Sequence, residues 1–225
     1  MFSKRSLKNI RPYDNIDSIE NHSQNRKEKM MPTEVLTYFL KNSDRRIRLM
    51  FQVVLQCAPF LKGLKVSCGI TMNADLYEGL GELFSGMDIS YYKLSETDGR
   101  CLVLFYRPSE LKAYLCRRDI CALIREYGYQ DMETEEMLER LAERVRACAE
   151  LGLGFPHEIG AFFGYPAEDV RGFIENGGRE YVMTGYWKVY SDPAGARMVF
   201  KEFDRAKNCA VNEFLTGKSI REIAL

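Results

Sequence analysis

Histidine is nearly absent: the 225 residues hold two, His22 and His157. A multi-histidine metal site is therefore excluded, and only a mixed His/Cys/Glu arrangement stays open. Seven cysteines are present, an odd number at irregular spacing and with no Cys-x-x-Cys pair. Zinc-ribbon and thioredoxin signatures are thus missing. Cys116 and Cys121 are the closest pair, and on a single helix their separation of about 500° would put them on different faces. The cysteines read mostly as small buried hydrophobes in a reduced compartment. A charge surplus is also missing, with 32 basic against 32 acidic side chains, which argues against a nucleic-acid binder. No glycine-rich phosphate loop, Gly-x-Ser-x-Gly elbow or His-Glu-x-x-His pair occurs. No run approaches the ~20 apolar residues that span a bilayer, and the first thirty residues lack an apolar signal core. The expectation is a cytoplasmic protein that binds neither nucleic acid nor membrane.

Apolar residues make up 46% and charged residues 28%, an ordinary globular balance. Residues 31–225 are long enough for one domain with its own core. Residues 1–30 differ. They are polar, carry seven basic and four acidic side chains, and hold few large hydrophobes. Such a segment buries too little surface to offset its ordering entropy, so it reads as a disordered tail or as a start site mis-assigned ahead of Met30 or Met31. Tail peptides in the protein from its natural source would exclude the second alternative.

Beyond residue 31 helical periodicity is strong. Thr33 opens a short helix, and Ser43 caps a second that runs to Pro59. Residues 64–70 read as a strand, and Asn73 caps a helix through Phe84. Ile89–Leu94 and Cys101–Tyr106 flank Asp98-Gly99, the signature of a β-hairpin. Pro108 opens a helix to Leu115, with further helices over 119–127 and 133–151. Two short helices, 156–163 and 166–175, each begin at proline and stop before glycine. Residues 181–190 read as a last strand and 193–215 as a last long helix, with Ser219 capping a final turn. The fold class is α+β: a small mixed sheet of about four strands, including a β-hairpin, covered by several helices.

The densest stretch is Phe155–Gly178 followed by Gly185–Tyr190. These segments, with Cys57-Ala58-Pro59, Gly63-Leu64-Lys65, Asp98-Gly99-Arg100 and Val103–Pro108, resemble a bacterial family, the domain of unknown function number 3793. The resemblance covers about residues 35–220 and leaves out the tail. It implies no activity or cofactor. It associates the chain with clostridial-type anaerobes and with genes of redox or iron physiology. Members often carry cysteine just before the Gly-Tyr-Trp-Lys-Val-Tyr run, where this chain has Thr184.

The same segments hold the candidate site. His157 and Glu158 sit at the start of a proline-opened helix, whose dipole favours neutral imidazole, so His157 could serve as a base or ligand with Glu158 or Asp169 as partner. The alternative is structural: the carboxylates satisfy first-turn N–H groups and His157 packs. On a strand, Tyr186, Lys188 and Tyr190 would share one face, where a lysine between two tyrosines suits an anionic planar ligand. Otherwise Lys188 lays its stem over the rings and keeps its ammonium wet. Tyr165 completes the set. Paired short helices invite a helix-turn-helix reading, but Glu168, Asp169 and Glu175 would repel phosphates. Cys57, near a helix C-terminus, is a poor nucleophile. Three functions follow. The first is a small-molecule or cofactor-binding accessory protein linked to redox or iron physiology, recognised by a pocket at these residues. The second is a protein–protein adaptor, recognised by an exposed apolar patch without a pocket. The third is an enzyme using a His157/Glu158 acid–base pair.

Overall fold

The computed structural model describes residues 32–151 and 153–224. The stretch 1–30, with its two expected origins, lies outside them. Helix α1 (Thr33–Leu40) rests on α2 (Arg45–Leu61) through Phe39 against Phe51. The cap of α2 is Asp44, one residue beyond Ser43, and its Oδ1 accepts from the Arg46 and Ile47 N–H groups. Contrary to expectation, α2 continues through Pro59. A helix-interior proline costs about 3 kcal/mol, but Pro59, Phe60 and Leu61 are all buried by this extra turn. The end is a Schellman turn: Gly63 (φ 68°) donates to Phe60 O and Leu64 to Pro59 O.

Strand β1 (Ser67–Asn73) follows, then α3 (Ala74–Tyr77) and α4 (Leu80–Leu83), two short helices where one was expected. Strands β2 (Ser90–Thr97) and β3 (Arg100–Tyr106) form the hairpin. Asp98 (φ 52°) and Gly99 (φ 72°) both take the left-handed conformation of a two-residue turn. The register slips between Lys93 and Ser95, leaving Leu94 as a bulge residue that is nevertheless fully buried.

The sheet order is β1-β3-β2, antiparallel throughout. Central β3 is buried on both faces and sorts its side chains by strand periodicity. Cys101, Val103 and Phe105 join one core with Cys68, Ile70 and Met72 of β1 and with α2. Leu102, Leu104 and Tyr106 join a second core. There they meet α5 (Pro108–Leu115), α6 (Arg118–Arg125), α7 (Thr134–Leu151), α8 (Ile159–Phe162) and α9 (Ala167–Glu175). The first core is closed by α10 (Pro193–Leu215) and α11 (Ile220–Ile223). Helix, sheet and helix therefore stack as three layers, and each buried Leu or Phe of β3 contributes about 1.5–3 kcal/mol. Arg107, 6% exposed, follows β3 and donates to the Phe60 and Leu61 carbonyls at the end of α2.

The α+β class stands, with all strand pairs antiparallel. The strand expected over 181–190 does not join the main sheet. It folds on itself as a separate hairpin of β4 (Met183–Thr184) and β5 (Lys188–Val189). No helix among the described residues is long and apolar enough to cross a membrane.

Candidate functional site

Asp169 sits on the inward face of α9 beside the buried Ala167, Val170 and Gly172, where a carboxylate needs partners. It has four donors. Oδ2 accepts from Trp187 Nε1 (2.7 Å), and Oδ1 accepts from Tyr190 N (2.8 Å), Ser191 N (3.0 Å) and Ser191 Oγ (3.0 Å). One side chain thereby pins the β4–β5 hairpin to α9. Gly172 on the same helix makes the approach feasible, because a Cβ there would lie 2.5 Å from Tyr190 Cγ.

The expected alternation of Tyr186, Lys188 and Tyr190 is corrected. Gly185, Tyr186 and Trp187 form the hairpin tip, with Gly185 N donating to Trp187 O, so strand periodicity breaks there. Tyr186 and Trp187 both turn toward α10. Tyr186 Oη donates to Asp204 Oδ1 (3.0 Å), and both rings pack on Phe200 and Phe203. Burial, then the Asp204 carboxylate, pushes the Tyr186 hydroxyl's pKa up. Lys188 turns away and donates to Gly178 O (2.7 Å), with its ammonium 4.9 Å from the Tyr181 ring centroid and 5.5 Å from that of Phe173. Tyr190 leans on Gly172, and its hydroxyl is buried without a hydrogen-bond partner. The three therefore address three different surroundings.

His157 and Glu158 also diverge. Helix α8 is shorter than expected and begins at Ile159, so both residues precede it in a turn. The His157 ring lies between Phe155 (5.4 Å) and Phe173 (4.9 Å). Burial lowers its pKa, against a smaller upward pull from Glu158. Glu158 is 1% exposed and accepts from Arg144 Nε (2.6 Å) and Tyr129 Oη (3.2 Å). Its charge is thus compensated by a helix α7 guanidinium.

Tyr165 sits where α8 and α9 meet. Its ring stacks on Trp187 (5.5 Å, 29°), its carbonyl accepts from Tyr114 Oη (2.9 Å), and Lys65 Nζ lies 5.0 Å from its centroid. Burial raises the pKa of its hydroxyl, and the next contribution is Cys68. This connects the 155–190 segments to a cluster that sequence reasoning missed. Cys57 of α2 and Cys68 of β1 lie buried in the same core, and Cys68 Sγ donates to Gln56 O (3.6 Å). Eleven positions separate the cysteines, and only the packing of α2 on β1 brings them together. The one available signal was that Cys57 and Lys65 lie in adjoining motifs.

Two clefts stand out, and none of the seven candidates lines either. One, of about 330 Å³, includes Cys116, Cys121, Tyr129, Met132, Glu133 and Met137 in its walls. Cys116 caps α5 and Cys121 lies in α6, so the one-helix argument for opposed faces does not apply, and both border the same space. The other, of about 200 Å³, lies between Asp88, Arg107 and Arg221. Among the described residues no group of three or more His, Cys, Asp and Glu could hold a metal ion.

Apolar side chains lie exposed around the hairpin: Tyr181 (42%) and Val182 (62%) at its base, and Met198 (69%) and Val199 (39%) on the first turns of α10 beside Phe200. A model of the family described as protein of unknown function, DUF3793, matches residues 53–224. No curated protein and no solved structure matches the chain.

Proposed function

The chain belongs to the DUF3793 family, and from that premise we propose that it is a cytoplasmic accessory protein that docks a protein partner on the β4–β5 hairpin and the start of α10. The observation that carries this reading is the exposure of Tyr181, Val182, Met198 and Val199 around a hairpin that is itself rigidly held. Exposed apolar side chains, here at the hairpin base and on the start of α10, mark interaction surfaces. The Asp169 bonds, the Tyr165–Trp187 stack and the Tyr186–Asp204 bond fix the platform beneath them before any partner arrives. A preorganised surface loses little entropy on association. The polar groups that suggested a ligand pocket turn to separate surroundings and line neither cleft, which supports docking over small-molecule binding at this place.

A photo-crosslinking residue at position 182 or 198, introduced in the source cells, tests the proposal. The expected result is one partner captured at both positions and lost in the Val182→Asp variant. Diffuse capture that survives Val182→Asp would defeat it. Sedimentation of the chain alone separates self-association from a different partner.

A second reading rests on the cleft of about 330 Å³ beside Cys116 and Cys121. It is large enough for a small ligand, with apolar walls and a few polar groups. A stoichiometric added mass in native mass spectra, together with slowed alkylation of Cys116 and Cys121, would support a small-molecule function there.

A further inference from the structure

The 32 basic and 32 acidic side chains cancel over the whole chain, but they are sorted between its two longest helices of the second half. The exposed residues of α7 include Glu135, Glu136, Glu139, Glu143 and Glu150, with Arg146 as the cation on that face. Glu135, Glu139 and Glu143 recur at intervals of four positions. They form a row along the helix with a rise of about 6 Å per step. The first half of α10 carries the opposite row at the same spacing, with Arg197, Lys201 and Arg205 all exposed. Glu202 pairs with Arg205 at 2.6 Å. Among the described residues, Glu135, Glu139, Glu143 and Glu150 enter no ion pair, and neither do Arg197 and Lys201. Like charges four positions apart repel along a helix, so each row weakens its own helix and is not neutralised within the chain. Exposed apolar side chains stand at one end of each row. Leu151 closes α7 and Leu153 lies just beyond it, while Met198 and Val199 stand near the start of α10.

We propose that the partner docked on α10 is a second copy of this chain, which lays its α7 antiparallel along that helix. The inference rests on the docking reading and names its partner. Antiparallel packing brings the apolar end of α7 to the apolar start of α10 and runs the carboxylates beside the cations at matched spacing. Charge complementarity of this kind fixes register and speeds encounter. The two helices lie on opposite faces of the sheet. Leu138, Leu141 and Val145 of α7 share a core with Leu102, Leu104 and Tyr106 of β3, whereas Ala210 and Val211 of α10 share the other core with Cys101, Val103 and Phe105. One partner therefore cannot cover both rows of a given copy. The contact is head-to-tail, and it passes on to further copies or closes into a ring.

Sedimentation velocity of the full chain over a concentration series is the experiment. The expected mass rises past that of two copies as concentration increases. Raising salt from about 0.1 M to about 1 M shortens the screening length from about 10 Å to about 3 Å and should shift the series back toward monomer. The double variants Arg197→Glu with Lys201→Glu, and Glu139→Arg with Glu143→Arg, should each stay monomeric alone with unchanged circular dichroism. Mixed in equal amounts they should associate, because the mixture restores opposite charge. Carbodiimide coupling of mixed isotopically light and heavy wild-type chains needs no variant and should join Lys201 of one copy to an α7 glutamate of another. A wild-type chain that stays monomeric through the series, or double variants that associate alone as wild type does, would overturn the proposal. A monomeric chain that captures a different protein at positions 182 and 198 would refute this inference and leave the docking reading standing, and capture of nothing specific would defeat both.

Discussion

Replacing Asp169 with alanine removes one carboxylate and leaves four donors without their acceptor: Trp187 Nε1, Tyr190 N, Ser191 N and Ser191 Oγ. Hydrogen bonds to a charged group contribute roughly 1.5–3 kcal/mol each, and they do not add when they share an acceptor. Ser191 is exposed, so water replaces the carboxylate there. Trp187 and Tyr190 are half-buried, and their N–H groups have poorer substitutes. The net cost comes to about 3 kcal/mol, which for a chain of this size lowers Tm by about 6–12 °C. Asp169→Asn keeps the Oδ1 acceptor and turns an amide N–H₂ toward Trp187, which costs about 1 kcal/mol. Trp187 is the only tryptophan, so its emission reports on this joint alone. Urea titration followed by far-UV circular dichroism and by tryptophan emission gives both numbers. The alanine variant should lose stability and shift emission to the red, with asparagine in between. An alanine variant within about 0.5 kcal/mol of wild type and with unchanged emission would refute the assignment of Asp169 as the pin of the hairpin.

Gly172→Ala drives a methyl group into the Tyr190 ring and should destabilise by about 1–3 kcal/mol, read from the same titration. Glu158→Ala leaves the buried Tyr129 Oη without its acceptor while the 38% exposed Arg144 is rehydrated, and should cost about 1–3 kcal/mol in chemical denaturation; an effect near zero would mean that the buried carboxylate is not paired as described. For His157 the sign of the pH effect is fixed by its lowered folded pKa. As pH falls through the ordinary value of 6.5, the unfolded chain takes up a proton that the folded chain resists, so stability declines toward acid until the folded value is reached. His157→Gln should flatten that decline as pH falls below 6.5 in thermal scans. Tyr186→Phe should cost about 1 kcal/mol through the lost Asp204 bond and leave the Trp187 stack in place.

Much of the scaffold was legible locally. The last long helix was legible as Pro193–Leu215 to the residue, with proline at its first position, and Asp98-Gly99 declared the central hairpin because only left-handed residues fit that turn. Ser219 caps the last turn in a capping box with Glu222. These features depend on neighbours a few positions away, which a sequence displays. The candidate site did not follow from local pattern. Residues 181–190 alternate like a strand, yet Gly185 permits a tight tip packed on Phe200, and Tyr186 and Trp187 then turn to α10 together. Glu158 and Asp169 looked like helix-start carboxylates, but their partners Arg144, Tyr129 and Trp187 lie 14 to 29 positions away. The burial of Cys57 and Cys68 in one core depends on how α2 packs on β1, and the shared cleft of Cys116 and Cys121 on the break between α5 and α6. Most of the helices and the central hairpin can be read from neighbouring residues, because backbone propensity acts at short range. Which polar groups meet across the chain depends on packing, because desolvation and pairing are set by whatever the fold carries to the same place.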